Sequence, residues 1–258
     1  MNNYFKSSPL GIVLGYLFGI VIAAILGATI LYNIAASKFN IEVTLVTEIM
    51  SMDIKVGLNL EVYNFVTTWL NFIQYAFMLL LTVFYAREYL KQDCLDIFDS
   101  FKKKESSRKR YLLMALLSIV GVLVMILASE VCTRLAKQTS VNQSSIETLI
   151  LNGYAVPMFI SVVFFAPVVE ELLYRKAIFK FLDKTAWYIP VCVSSLLFAL
   201  PHMLSPQANV LSWFILFFNY LLCGFILSMI YEKSKRNIYL SIFCHMLNNL
   251  VVFLMIIL

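Results

Sequence analysis

The feature that most limits what this chain can fold into is a series of long apolar runs almost free of charge. They lie near residues 10–33, 63–86, 111–129, 151–175, 187–206, 209–230 and 237–258. About 20 mainly apolar residues make one helical crossing of a bilayer. In hydrocarbon every backbone N–H and C=O must be paired within the protein, and a helix does this within its own segment. Composition agrees: 61% of the 258 residues are hydrophobic, mean hydropathy is +0.85 and 14% are charged, where soluble domains carry about 25%. The expected fold class is therefore all-α: a polytopic transmembrane helical bundle of about seven spans, with the lipid bilayer as its solvent. The first run is longer than the roughly 7–15 apolar residues of a secretory signal, so it is expected to remain as a span.

Lysine and arginine set the expected orientation. Of the twenty, Lys6 precedes the first run, eight lie in 87–110, four in 175–185 and three in 231–236. Those segments alternate onto one side and hold sixteen; the other side has two in 34–62 and two in 130–150. Basic excess marks the cytoplasmic face, which predicts N-terminus in and C-terminus out. The net charge of +5 is thus a matter of topology, and nucleic acid is not an expected partner. Residues 87–110, with Lys102, Lys103, Lys104, Arg108, Lys109 and Arg110, read as an amphipathic cytoplasmic loop on the membrane surface. The five cysteines (Cys94, Cys132, Cys192, Cys223, Cys244) are odd in number and scattered, without metal-ligand spacing or a disulfide framework.

Against this background the charges inside the runs stand out. No lysine or aspartate falls within one, and of ten glutamates only Glu170 and Glu171 do, with Arg175 at the edge of the same helix. The two histidines, His202 and His245, both lie in spans. An acidic residue at a span centre costs roughly 2.5–3.5 kcal/mol on insertion scales, so two in succession call for partners and a use. Glu171 and Arg175 are i and i+4 with the glutamate first, the favourable order for an ion pair. They are expected to orient the site. Glu170 lies about 100° further round the helix and is left as a base in a poorly solvated place. Pro167, with no N–H, is expected to kink the helix one turn earlier.

Phe198 shares a helix face with His202, and His245 shares one with Asn249; Asn248 is a near neighbour. Counted at 1.5 Å per residue from the turn at Thr185, Glu170 and His202 sit roughly 22–26 Å deep, and His245 about 13 Å from Arg236. That mismatch leaves a shared site expected in the cytoplasmic half. Chemically the set is hydrolytic. Glu170 and His202 can hold and deprotonate a water, while His245 and Asn249 can donate to the oxyanion formed when that water attacks a carbonyl. No cofactor is expected; the alternative is zinc, with Glu170, His202 and His245 as ligands.

The order E-E-x-x-x-R (Glu170, Glu171, Arg175), F-x-x-x-H (Phe198, His202) and H-x-x-x-N (His245, Asn249) resembles the CPBP family. That family comprises the CAAX prenyl endoproteases and the bacteriocin-processing and self-immunity membrane proteins. The likeness covers about residues 150–258. It divides the chain into an N-terminal transmembrane region, 1–150, of three spans with the basic loop 87–110, and a CPBP-like core, 151–258, of four. It implies an intramembrane endopeptidase that uses a glutamate-activated water, without metal, on a peptide or membrane-associated protein. In the prenyl proteases the site opens to the cytosol. The alternative of a different class is a bacteriocin-immunity or regulatory protein that binds partners, a sensor kinase or a bacteriocin, without catalysis. A proton-coupled transporter is a third reading, disfavoured because the sequence has no repeat. The expected location is a bacterial plasma membrane.

Overall fold

A computed structural model describes residues 7–52, 56–103, 105–205 and 209–258. Lys6, Lys55 and Lys104, which enter the charge count, lie outside the described residues. The described chain is built from helices without strands: α1 (Pro9–Phe39), α2 (Val43–Ser51), α3 (Leu58–Lys103), α4 (Glu105–Ala136), α5 (Val141–Phe181), α6 (Tyr188–His202), α7 (Val210–Lys233) and α8 (Ile238–Ile257). Six of these, all but α2 and α6, are long and apolar enough to cross a membrane. The chain is a multi-pass helical membrane protein. Its outer face is that of a protein dissolved in lipid: Leu17, Phe18, Leu80, Leu112, Leu127 and Phe214 are half or more exposed. Glu170, Glu171, Arg175 and His245 are buried instead.

The expected span at 187–206 is the one that differs. Its helix, α6, has 15 residues, or about 22 Å, against a hydrocarbon core of about 30 Å. Pro201 lacks an N–H and the helix stops one residue later, at His202. The histidine therefore stands at a helix end within the bundle. Non-helical backbone at that depth is tolerated where protein covers it or where it lines a cavity. The Met203 carbonyl accordingly accepts from the Trp213 indole N–H (3.2 Å).

α3 differs in the other direction. Its 46 residues reach roughly 69 Å, more than twice the hydrocarbon thickness. The surface loop expected at 87–110 is helical through Lys103 and again from Glu105. The stretch has no glycine or proline and is rich in Lys, Arg, Leu and Glu, which favour helix. α5 runs on past the apolar run to Phe181, and just beyond the run Lys176 is buried with its Nζ 2.6 Å from Asp93 Oδ2 on α3.

α1 lies along α3 through Gly11, Gly15 and Gly19, a small-residue face one turn apart. A Cβ at Gly19 would stand 2.8 Å from the Met78 Cα, so only glycine lets the backbones approach this closely. The α7 backbone meets α6 in the same way at Gly224, where a Cβ would stand 3.0 Å from the Ser195 Cα. α5 is the irregular helix. Its turn at Asn152 and Gly153 is not helical (Gly153 φ +93°), and wider i→i+5 turns occupy Ile160–Phe165 and Leu172–Ala177. The short α-helical stretch between them, Ala166–Glu171, carries both glutamates. Such π-turns often mark functional sites.

Candidate active site

The kink expected from Pro167 has a specific consequence. Just before it, the Ala166 N–H reaches back five residues to the Ser161 carbonyl. The next donor in that register would be residue 167, and proline has none. The Val162 carbonyl is left over, and Asn249 Nδ2 on α8 donates to it at 2.9 Å. Asn249 Oδ1 in turn accepts from Asn248 Nδ2 (3.2 Å). One of the two Asn249 amide hydrogens therefore fixes α8 against α5, and the second is uncommitted.

Below that contact the motif residues converge. Glu171 is fully buried and lies 3.1 Å from Arg175 Nε, also fully buried. The Arg175 N–H does not point at the carboxylate oxygen, so the pair holds by charge rather than by a hydrogen bond. Arg175 Nη1 donates to Ser194 Oγ on α6 (2.6 Å), and the Ser194 hydroxyl donates to the Tyr174 carbonyl (2.6 Å). The guanidinium also lies 5.2 Å from the centre of the Phe198 ring, a cation–π arrangement. Arg175 thus ties α5 to α6, with Phe198 over its guanidinium.

His245 meets both glutamates. Its Nδ1 is 3.1 Å from Glu171 Oε1, and since a carboxylate only accepts, Nδ1 is assigned the proton. That leaves Nε2 as the acceptor of the neutral ring, 3.9 Å from Glu170 Oε2. Glu170 Oε1 accepts from the Tyr75 hydroxyl on α3 (3.2 Å). His202 is held differently. Its Nδ1 lies 2.8 Å from the Phe198 carbonyl, so Nε2 is again the free acceptor, and its ring stacks on Tyr220 with centroids 4.5 Å apart. Glu170, His202, His245 and Asn249 line one cavity of about 410 Å³, within the usual range for binding sites. No hydrogen bond joins His202 to Glu170 among the described residues.

Tyr75, Ser194 and Tyr220 were absent from the sequence reading. Ser194 carries no signal beyond being a polar residue in an apolar run. Tyr75 carries one: it falls in the middle of its span, whereas membrane tyrosines favour the edges. Among the described residues no three His, Cys, Asp or Glu side chains are grouped to hold a metal ion; His202 is directed to a backbone carbonyl.

Comparison with known proteins bears on this region. Residues 152–251 match the family model described as type II CAAX prenyl endopeptidase, Rce1-like. This part of the chain is similar to that family. The assignment agrees with the CPBP resemblance, and the Rce1-like stretch includes every motif residue from Glu170 to Asn249. Neither the curated proteins nor the solved structures yield a match. Tyr75, which touches the Rce1-like glutamate, comes from outside the matched residues.

Proposed function

We propose that the protein is an intramembrane endopeptidase in which Glu170 and His245 activate a water. The observation that carries this is the pair of opposed acceptors, Glu170 Oε2 and His245 Nε2, 3.9 Å apart on the floor of the cavity. Two acceptors at that separation fit a water at about 2.8 Å from each, donating one hydrogen to each. Glu171 fixes the imidazole by its Nδ1–H, and Tyr75 fixes the carboxylate, so both face the same point.

The water oxygen attacks the carbonyl carbon of a peptide bond while Glu170 takes its proton. The oxyanion accepts from the second Asn249 N–H. The proton held by Glu170 then passes to the amide nitrogen, the C–N bond breaks, and a carboxylate and an amine leave. In this reading His245 takes the place beside the water that was expected for His202, and His202 lines the cavity wall stacked on Tyr220. The substrate is a peptide or membrane-associated protein, and the setting is a bacterial plasma membrane with the basic segments inside. The family match supports protease chemistry.

Glu170→Gln keeps the shape of the side chain and removes the base. It is expected to lower turnover by at least about 100-fold, the lower end for a general base, in protein that accumulates normally. The measurement is comparative peptidomics of cells carrying each form. Unchanged peptide products would overturn the endopeptidase reading and favour the binding alternative, with a sensor kinase or bacteriocin as partner.

A further inference from the structure

The direction of the cavity carries a second inference. Each wall helix contributes the part that lies away from the basic segments. α3 gives Asn71 and Tyr75 from its first half, and α4 gives its last third, from Met125 to Thr133. α5 gives Gln143 and Glu147 down to Glu170, and α6 gives only Phe198 and His202 at its end. α7 contributes from Leu216 to Leu227, and α8 from His245 to Ile256. None of the lining residues comes from 87–110, 175–185 or 231–236, the segments that hold the basic excess.

At one end the cavity stops at Glu170 and His245. Beyond them the helices are closed by Arg175, Ser194 and the Asp93–Lys176 pair, all buried. At the other end it reaches Glu130, whose side chain is half exposed (53%). Ser140, Gln143 and Glu147 surround this end, Gln143 donating to Glu147 (3.0 Å) and Ser140 sharing a hydrogen bond with Tyr220 (2.8 Å). The mouth mixes these hydroxyl, amide and carboxylate groups with the apolar side chains of Ile146, Ile150, Met255 and Ile256. It can therefore take polar backbone together with apolar side chains, as binding sites commonly do.

We infer that the cavity opens on the extracytoplasmic face and takes a segment of a polypeptide that has already crossed the membrane. The side follows from joining the cavity's direction to the rule that basic segments stay inside. It is opposite to the cytosolic opening expected from the resemblance. The nature of the substrate rests on the endopeptidase reading; the side of access does not.

Two measurements test the two parts separately. In the first, Gln143→Cys (rim) and Asn219→Cys (wall) are exposed to a small membrane-impermeant cationic thiosulfonate. Right-side-out and inside-out vesicles are compared, with the wild-type labelling subtracted and Lys184→Cys as the marker of the basic face. Expected is labelling of both cavity positions at least tenfold faster in right-side-out vesicles, and the reverse for Lys184→Cys. Faster labelling of either cavity position in inside-out vesicles overturns the inference. In the second, cleavage sites that vanish in cells carrying Glu170→Gln are mapped to one face of the membrane. Sites in translocated segments support the inference, and cytosolic ones overturn it. If no site vanishes, the endopeptidase reading fails and takes the substrate class with it, while the labelling still decides the side.

Discussion

The two ends of this bundle are built on opposite plans. At the basic end, the polar groups around Asp93 are joined to one another. Asp93 Oδ2 takes both the Lys176 ammonium (2.6 Å) and the Ile238 N–H (2.9 Å), which caps the start of α8. The Asp93 carbonyl accepts from Asn237 Nδ2 (2.7 Å), the Arg236 carbonyl from Lys176 (3.2 Å), and the Leu90 carbonyl from the Tyr239 hydroxyl (3.2 Å). The cluster joins α3, α5 and the α7–α8 turn. At the far end the polar groups line a space: Asn71 Oδ1 and Asn219 Oδ1 are buried beside the cavity without protein partners. Where partners are complete, helices are locked; where they are left open, something else can bind. The two glutamates sit on the border, with Glu171 facing the closed side and Glu170 the open one.

That contrast can be broken by mutation, and the largest effect is expected at the border. Glu171→Gln leaves Arg175 fully buried without its adjacent counter-charge and weakens the anchor of His245. Breaking a buried pair in this way costs about 3–5 kcal/mol. The melting temperature in detergent should fall sharply, and any folded protein should have lost activity. A variant as stable as the wild type would show that Arg175 is neutralised elsewhere.

A smaller loss is expected from the closed end. Asp93→Asn keeps an acceptor for the Ile238 N–H but removes the charge that Lys176 faces. Charged hydrogen bonds contribute about 1.5–3 kcal/mol, and that is the expected loss in chemical denaturation. Because Asp93 touches no cavity residue, the folded fraction should keep its turnover. A fall in turnover with unchanged stability would mean that the latch acts on the site directly. Next in size is Asn249→Ala, which strands the Val162 carbonyl. Interhelical hydrogen bonds within membranes average about 0.6 kcal/mol and reach about 1.7, so a loss of about 1 kcal/mol is expected. Ser161→Ala one residue away, whose hydroxyl bonds within its own helix (Pro157 carbonyl, 2.9 Å), should cost less.

What could be read from the sequence follows the same division. The Glu171–Arg175 pair and the shared faces of Phe198 with His202 were legible because they lie four residues apart on regular helix. The rarity of charge in the apolar runs was enough to pick out both histidines. Tyr75 and Asp93 were not legible as partners, because their contacts span 95 and 83 residues of chain and no local period encodes such pairings. The depth count went astray for a local reason. It assumed a constant rise from Thr185 back to Glu170, whereas that stretch holds the π-turned residues Leu172–Ala177 and its helix ends at Phe181. The short α6 was overestimated because Pro201 ends it while the apolar composition continues. The direction of the cavity depends on which part of each helix splays from its neighbours, and composition does not reveal that.

The smallest effect expected tests the open end itself. Glu130 and Arg134 form an ion pair at the rim, 2.6 Å apart and one turn apart on α4, with side chains 53% and 77% exposed. Such pairs contribute about 0.2–0.5 kcal/mol, and salt screens them. Arg134→Ala should therefore leave the denaturation midpoint within error of the wild type, and the same difference should shrink further at high ionic strength. What it should alter is the rim. With its cation gone, Glu130 stands with Glu147 as an uncompensated acidic edge, and a positively charged thiol reagent should reach Asn219→Cys faster at low salt than at high salt. A stability loss comparable to that of Asp93→Asn would show that the rim is locked like the basic end, and the contrast between the two ends would fail.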